Sequence, residues 1–309
     1  MHVSKKGRGS KSRKMHVALA EDMAYMQSYS ISNPTAQIFV TGPKSNKETL
    51  THEEKTQLAT YTRRHNTKLV IHGAYIDRPW GGVAYAVQNV LKELRIASEI
   101  GATGVILHLS AGCGDDIQLS SALKSISGVY AELTAINPAA HIPILWLEIH
   151  AAKPSAFTYE TPEKLIRLFE RIHGYGHNNG PNELKFGLCI DTAHLFSCGT
   201  NLDTYENAER WIRNTTEGIS KIMTVPIMMH LNDSASKLGS GVDRHEILCG
   251  GMIWSAYHPV TGHLPFERSG LNYILEWVEK NHIHTILERD DADLVHDITL
   301  IQKLGYFSG

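Results

Sequence analysis

From residue 15 onward, short apolar runs alternate with longer stretches in which apolar positions recur every three or four residues. The short runs are 16–20, 37–41, 69–72, 104–108, 144–148, 186–191, 227–231 and 285–288. Most are rich in Val, Ile or Leu with no polar alternation, the pattern of strands covered on both faces. The periodic stretches are 53–65, 84–100, 120–136, 161–173, 208–222, 271–280 and 292–304. In the second of these, Val87, Val90, Leu91 and Leu94 share one helical face. Thr161-Pro162 opens another with a capping residue and a proline suited to the first helical position. Only the segment between the first two runs lacks a clear helical pattern. Eight strands alternating with helices predict an α/β chain folded as a (β/α)8 TIM barrel. No G-x-G-x-x-G follows a strand and no P-loop occurs, which argues against a doubly wound sheet and a nucleotide cofactor.

Residues 1–14 break the pattern. Lys5, Lys6, Arg8, Lys11, Arg13 and Lys14 stand among Gly and Ser, a composition that predicts a basic disordered tail ahead of a single catalytic domain over 15–309. Such a tail suits a nucleic-acid arm or a nuclear address, or has no function; Met-His-Val at residues 1 and 15 also makes Met15 a candidate start. The chain as a whole is near neutral, its 309 residues carrying a formal charge of −2, so anion affinity must come from a local patch or from metal. No apolar run is long enough to span a bilayer. Cys113, Cys189, Cys198 and Cys249 form no C-x-x-C pair and are expected as buried thiols of an intracellular, reducing compartment, cytoplasm or nucleus.

Candidate chemistry lies where the strands end. Six successive runs finish in His72, His108, Glu148, Asp191, His230 and Glu288. A barrel gathers the C-terminal ends of its strands around one mouth, so these side chains are expected to converge there. Carboxylates crowded together raise one another's pKa values, and a divalent cation is the usual relief. Imidazole with carboxylate suits zinc, with manganese or iron as competitors. His194, just past the sixth strand, and Asp243 and His245, two apart on a long loop, extend the set to nine ligands. Nine are too many for one four-coordinate zinc and suit two or three ions. Three Zn²⁺ against four carboxylates and a hydroxide would leave about one net positive charge, apt for a phosphodiester.

The strings around these residues are specific. His72-Gly73-Ala74-Tyr75 resembles H-G-x-Y, and Cys189-Ile190-Asp191-Thr192-Ala193-His194-Leu195-Phe196 resembles C-I-D-T-C-H-x-F. His230-Leu231-Asn232-Asp233-Ser234 resembles H-L-N-D-S, and Gly239-Ser240-Gly241-Val242-Asp243-Arg244-His245 resembles G-S-R-x-D-R-H. These motifs are similar to those of the endonuclease IV family, the class II apurinic/apyrimidinic endonucleases, and the likeness runs from about residue 15 to the C-terminus. The resemblance implies three zinc ions, with manganese possible at one site. His72 and His108 would hold one, with Glu148 bridging to a second; Asp191, His230 and Glu288 would complete the second; His194, Asp243 and His245 would hold the third. It also implies base-excision repair of damaged double-stranded DNA: hydrolysis of the phosphodiester 5′ to an abasic site, leaving a 3′-hydroxyl and a 5′-deoxyribose phosphate, with 3′-end trimming as a further activity. Glu148 and Glu288 would orient or activate the nucleophile. Tyr75 and Ile76, after the third strand, would fill the gap left by a turned-out nucleotide; Lys44 stands nearest the family's assisting Arg, and Arg244 would also contact DNA. A monomer is expected.

The chain departs from the family pattern at several places. Glu148-Ile149-His150-Ala151-Ala152 stands for E-N-T-A-G, Leu109 for a Pro, Gly241 for the Arg of G-S-R, and His16-Val17-Ala18 for the early H-V-S. None removes a ligand, and His150 is expected to turn away from the metals. The alternative is a metal-dependent sugar isomerase or epimerase on the same kind of barrel, which would lack the His194/Asp243/His245 group. A metal-storage or DNA-binding module without turnover is the non-enzymatic reading.

Overall fold

The computed structural model describes residues 1–5, 13–31, 34–75, 80, 84–109, 116–136, 142–155, 158–179 and 184–306. By contact density the chain divides into two compact units, residues 1–148 with 175–187 and 309, and residues 149–174 with 188–308.

In the first unit the strands are β1 (His2–Val3), β2 (Ala36–Ile38), β3 (Leu69–His72), β4 (Gly104–Leu109) and β5 (Ile144–Ile149, up to Glu148), hydrogen-bonded in that order. Pairing from β1 to β4 is parallel, with Val3 opposite Ile38, Ile38 opposite Ile71, and His72 opposite Ile106. β5 joins β4 through Ile144 N–H donating to Thr103 O at 2.9 Å. The helices α1 (Met15–Ser28), α2 (His52–His65), α3 (Ala84–Ile100) and α4 (Asp116–Ile136) alternate with them. α2 opens on a capping box in which Thr51 and Glu54 satisfy each other's backbone N–H. At Gly187 a side chain has no room: a Cβ there would lie 2.3 Å from the buried Trp146 ring.

In the second unit β6 (Phe186–Asp191, from Leu188), β7 (Ile227–His230) and β10 (His284–Ile286) pair in parallel. Asp191 lies opposite His230 and His230 opposite Ile286. A short antiparallel hairpin, β8 (Asp233–Ser234) with β9 (His245–Glu246), follows β7. The helices are α6 (Thr192–Ser197), α7 (Tyr205–Ser220), α8 (Gly270–Lys280) and α9 (Asp291–Lys303); α5 (Pro162–Asn179) begins in this unit. Thr204, Ser269 and Asp290 cap α7, α8 and α9 through their side-chain oxygens. The eight parallel strands and intervening helices are the element series of a (β/α)8 barrel. Among the described residues no helix is long and apolar enough to cross a membrane.

The N-terminus corrects the reading of the sequence. Residues 16–20, expected as the first strand, lie inside helix α1, and the first strand is His2–Val3, within the expected disordered tail. His2-Val3-Ser4, not His16-Val17-Ala18, therefore leads the strand series. The physical reason is periodicity: Met15, Ala18, Leu19, Asp22, Met23 and Met26 are the buried positions of α1, three or four residues apart. The beginning of the chain is tied down: Met1 and Val3 are buried, and the terminal ammonium donates to Thr35 O at 2.9 Å. The basic residues there meet acidic partners. Lys5 Nζ lies 2.7 Å from Glu54 Oε1 and donates to Thr49 O, Lys14 Nζ bonds Glu53 Oε1 at 2.6 Å, and Arg13 pairs with Glu21. Lys6, Arg8 and Lys11 lie outside the described residues. Cys189, Cys198 and Cys249 are buried thiols outside any disulfide, as expected; Cys113 lies outside the described residues.

Removing residues 1–14 is accordingly expected to lower the thermal unfolding midpoint, and Val3→Ala to cost about 2 kcal/mol from lost burial and a small cavity. Denaturant titration of the two variants checks this, and an unaltered midpoint would reinstate the disordered tail.

Candidate metal-binding groups

In the first unit the register decides which side chains meet. His72 ends β3 opposite Ile106, and His108 lies two residues beyond Ile106, so both imidazoles project from the same face of neighbouring strands. Glu148, fully buried near the end of β5, brings Oε2 to 3.0 Å from His108 Nε2 and 3.5 Å from His72 Nε2. His72 Nδ1 lies 2.8 Å from Gly73 O. A carbonyl only accepts, so Nδ1 carries a proton and Nε2 is the nitrogen turned toward Glu148. An imidazole nitrogen and a carboxylate oxygen at this distance need a proton or a cation between them.

Tyr75 follows this group. Half exposed, it sets its ring against Phe39, His72 and His108, with centroids 5.3–5.6 Å apart. Its backbone N–H donates to Pro43 O at 2.8 Å, tying it to the loop that carries the exposed Lys44. Ile76 lies outside the described residues.

The second unit brings the remaining candidate ligands near one another. Asp191 ends β6 and also caps α6: its Oδ1 accepts from His194 N at 2.8 Å, which sets His194 in the first helical turn. His194 Nδ1 bonds Ile149 O at 2.8 Å, so this ring too presents Nε2, here 3.3 Å from Asp243 Oδ1. The loop bearing Asp243 is held to α6, with Gly239 N–H on Phe196 O and Gly241 N–H on Ser197 O. Gly241 has φ +68°, and a Cβ would lie 2.5 Å from Lys153 N, so the family's Arg has no room at this position. The β8–β9 hairpin returns His245, whose Nε2 lies 3.1 Å from Asp243 Oδ1 and 3.7 Å from Asp191 Oδ2. His230 Nδ1 is 3.4 Å from Glu288 Oε2 and 3.8 Å from Asp191 Oδ2. Arg244 is exposed; its carbonyl accepts from Ala235 N–H. His150 offers its carbonyl to Cys198 Sγ at 3.2 Å.

Burial alone raises the Asp243 carboxyl, but hydrogen bonds from His194 and His245 outweigh it and hold this acid far below the usual carboxylate range. For His245, burial acts downward; the charge of Asp191 and the bond to Asp243 prevail and raise it. The donor sets fit a metal. His72, His108 and Glu148 form one group whose ligand atoms lie within 4.8 Å of one another, and Asp191, His194 and His245 form another. Imidazole nitrogen and carboxylate oxygen are donors that a divalent transition-metal ion accepts.

The pattern of strand ends missed Asn232 and Asp233, although both lie in the H-L-N-D-S string. Asn232 is fully buried and donates from Nδ2 to Asp191 Oδ2 at 2.7 Å and Glu288 Oε2 at 3.3 Å. Asp233 accepts from the backbone of Ser234, Ile253 and Gly251, pinning the hairpin to the following loop. Burial pushes its carboxyl up to about 6 against those bonds.

Without metal, pH should matter in a definite direction. The raised His245 contributes stability that is complete below its ordinary 6.5 and lost as pH rises through the raised value. The depressed Asp243 contributes stability present above its ordinary 3.8 and lost as pH falls toward the lowered value. In chelator, the unfolding midpoint should therefore fall as pH climbs from about 6 to about 9, and His245→Ala should flatten that fall. A wild-type midpoint unchanged across this range would count against it.

The family model described as xylose isomerase-like TIM barrel matches residues 34–302. A probable AP endonuclease of African swine fever virus is 34% identical over 274 residues, covering 88% of this chain and 84% of its own. The crystal structure of AsfvAP:AG superposes with a TM-score of 0.82 at 29% identity, covering 98% of this chain and 97% of that one. Endonuclease IV from Thermus thermophilus, at 19% identity, shares the fold with a TM-score of 0.68 over 98% of each chain. On this match the chain belongs to the xylose isomerase-like TIM barrel family and, within it, to the AP endonucleases of the endonuclease IV type.

Proposed function

We propose that the protein is a zinc-dependent base-excision-repair endonuclease that hydrolyses the phosphodiester 5′ to abasic sites in double-stranded DNA, leaving a 3′-hydroxyl and a 5′-deoxyribose phosphate. The observation that carries it is the direction of the imidazoles. His72 and His194 each hold Nδ1–H on a backbone carbonyl and aim Nε2 at a carboxylate oxygen, the arrangement of metal ligands oriented by outer hydrogen bonds. His72, His108 and Glu148 are assigned to one ion, Asp191, His230 and Glu288 to a second, and His194, Asp243 and His245 to a third. Manganese at one position is compatible with the same donors.

Bound zinc supplies Lewis acidity toward the phosphate and brings the pKa of water toward neutrality. The chain's own groups do the rest. Glu148 and Glu288 orient the attacking water and accept its proton. Asn232 holds the Asp191 and Glu288 carboxylates in place, which leaves less reorganisation for the reaction step. Tyr75 and Ile76 fill the stack where the abasic nucleotide turns out, with Lys44 and Arg244 on the backbone phosphates. Lys44 offers charge without the planar stacking of an Arg.

Metal analysis with an incision assay on an abasic duplex tests the reading. About three zinc equivalents per chain are expected, with incision abolished by chelator. His194→Ala, Asp243→Ala or His245→Ala should each remove one equivalent and lower turnover by at least about 100-fold, the upper end of what outer-sphere changes cost. One equivalent or fewer with full activity overturns the three-ion assignment, and turnover of free sugars in place of DNA overturns the nuclease.

For the wedge, Tyr75→Ala combined with Ile76→Ala should weaken binding to abasic duplex by about 2 kcal/mol, the order of the cost of unstacking a base step. The loss should be smaller on single-stranded or nicked substrate, and zinc content should stay unchanged. Equal loss on all substrates, or loss of zinc, would assign these residues to the support of His72 and His108 instead.

A further inference from the structure

Behind the ligands of the second unit lies a buried cation to which the proposed reaction gives no direct role. Arg289 immediately follows Glu288, and its side chain is almost wholly buried. Its guanidinium reaches three segments. Nε bonds Asp297 Oδ2 on α9 at 3.1 Å, Nη1 bonds Asn232 Oδ1 at 3.0 Å and Glu288 O at 3.1 Å, and Nη2 bonds Glu246 O. Asp297, fully buried, accepts Leu248 N–H at 2.8 Å on its other oxygen.

The consequence falls on Asn232. A guanidinium only donates, so the amide must present its oxygen to Arg289. That oxygen also accepts Glu288 N–H at 3.3 Å. The amide NH₂ is thereby forced to the other side, where it donates to Asp191 Oδ2 and Glu288 Oε2. The opposite amide orientation would set an oxygen against two carboxylates and an NH₂ against a cation. Arg289 also clamps Glu246, the residue after His245. We infer that Arg289 is a positioning residue: through Asn232 and Glu246 it fixes Asp191, Glu288 and His245 in the geometry that receives metal. This rests on the zinc reading above and adds to it a residue that touches neither metal nor DNA. A lysine cannot replace it, because one ammonium cannot reach all three segments as the planar fork does.

Zinc retention against a competing chelator tests the inference, read alongside the thermal midpoint of the metal-free protein. Arg289→Met and Arg289→Lys should each weaken zinc affinity by about 10–100-fold, the usual effect of losing an outer-sphere partner. Arg289→Met leaves Asp297 without its cation and endangers folding; Asn232→Ala keeps the Arg289–Asp297 pair and should show a loss of similar size. Because the two residues act in series, Asn232→Ala with Arg289→Lys should be little worse than the poorer single variant. Wild-type zinc affinity in folded Arg289→Lys and Asn232→Ala, with only a lowered midpoint, overturns the positioning role and leaves the zinc reading intact, as does strict additivity of the two losses. A wild-type protein that retains no zinc overturns both.

Discussion

A carboxylate taken fully out of water must be satisfied oxygen by oxygen, and the second unit is organised around doing this for Asp191. One oxygen caps α6 through the His194 N–H, and the other takes the amide of Asn232. The first bond sets where the helix starts and therefore where His194 lies. The second draws the chain after β7 against β6, with Thr192 Oγ1 bonded to Asn232 O at 2.6 Å alongside it. A buried charge without such partners would cost several kcal/mol. The same residue that we propose as a metal ligand is thus a joint between strand, helix and neighbouring loop.

The histidines show the same economy. His72 and His194 are each locked by a backbone carbonyl at Nδ1, from Gly73 and Ile149. That contact selects the tautomer before any ion binds and reduces the freedom lost on binding. It is also indifferent to one departure from the family strings: Ile149 serves His194 through its carbonyl, which every residue type carries. Gly241 is a different case. Its positive φ and its closeness to Lys153 make the backbone path depend on the residue being small.

The strand ends were legible because a parallel sheet buried on both faces writes itself as apolar runs, and a polar residue closing such a run stands out. His72, His108, Glu148, Asp191, His230 and Glu288 all announce themselves this way. Asn232 and Arg289 do not: an amide and a guanidinium just past a strand end resemble ordinary surface residues until partners from distant segments enclose them. Nor was the first strand legible. A two-residue strand has no period to read, and the basic residues around Val3 suggest solvent until Glu54, Glu53 and Glu21 are seen to meet Lys5, Lys14 and Arg13.

Beyond the first strand, local order along the chain was therefore enough to determine the alternation of strands and helices and the residue types that end the strands. These follow from periodicity, a property of neighbours in sequence. Which nitrogen of each imidazole carries the proton, which way the Asn232 amide faces, and whether residues 1–5 pack or hang free were decided by tertiary structure alone. Each depends on a hydrogen bond or burial contact between groups far apart in the chain, such as Arg289 with Asn232 or Met1 with Thr35. Spacing along the sequence carries no record of those encounters.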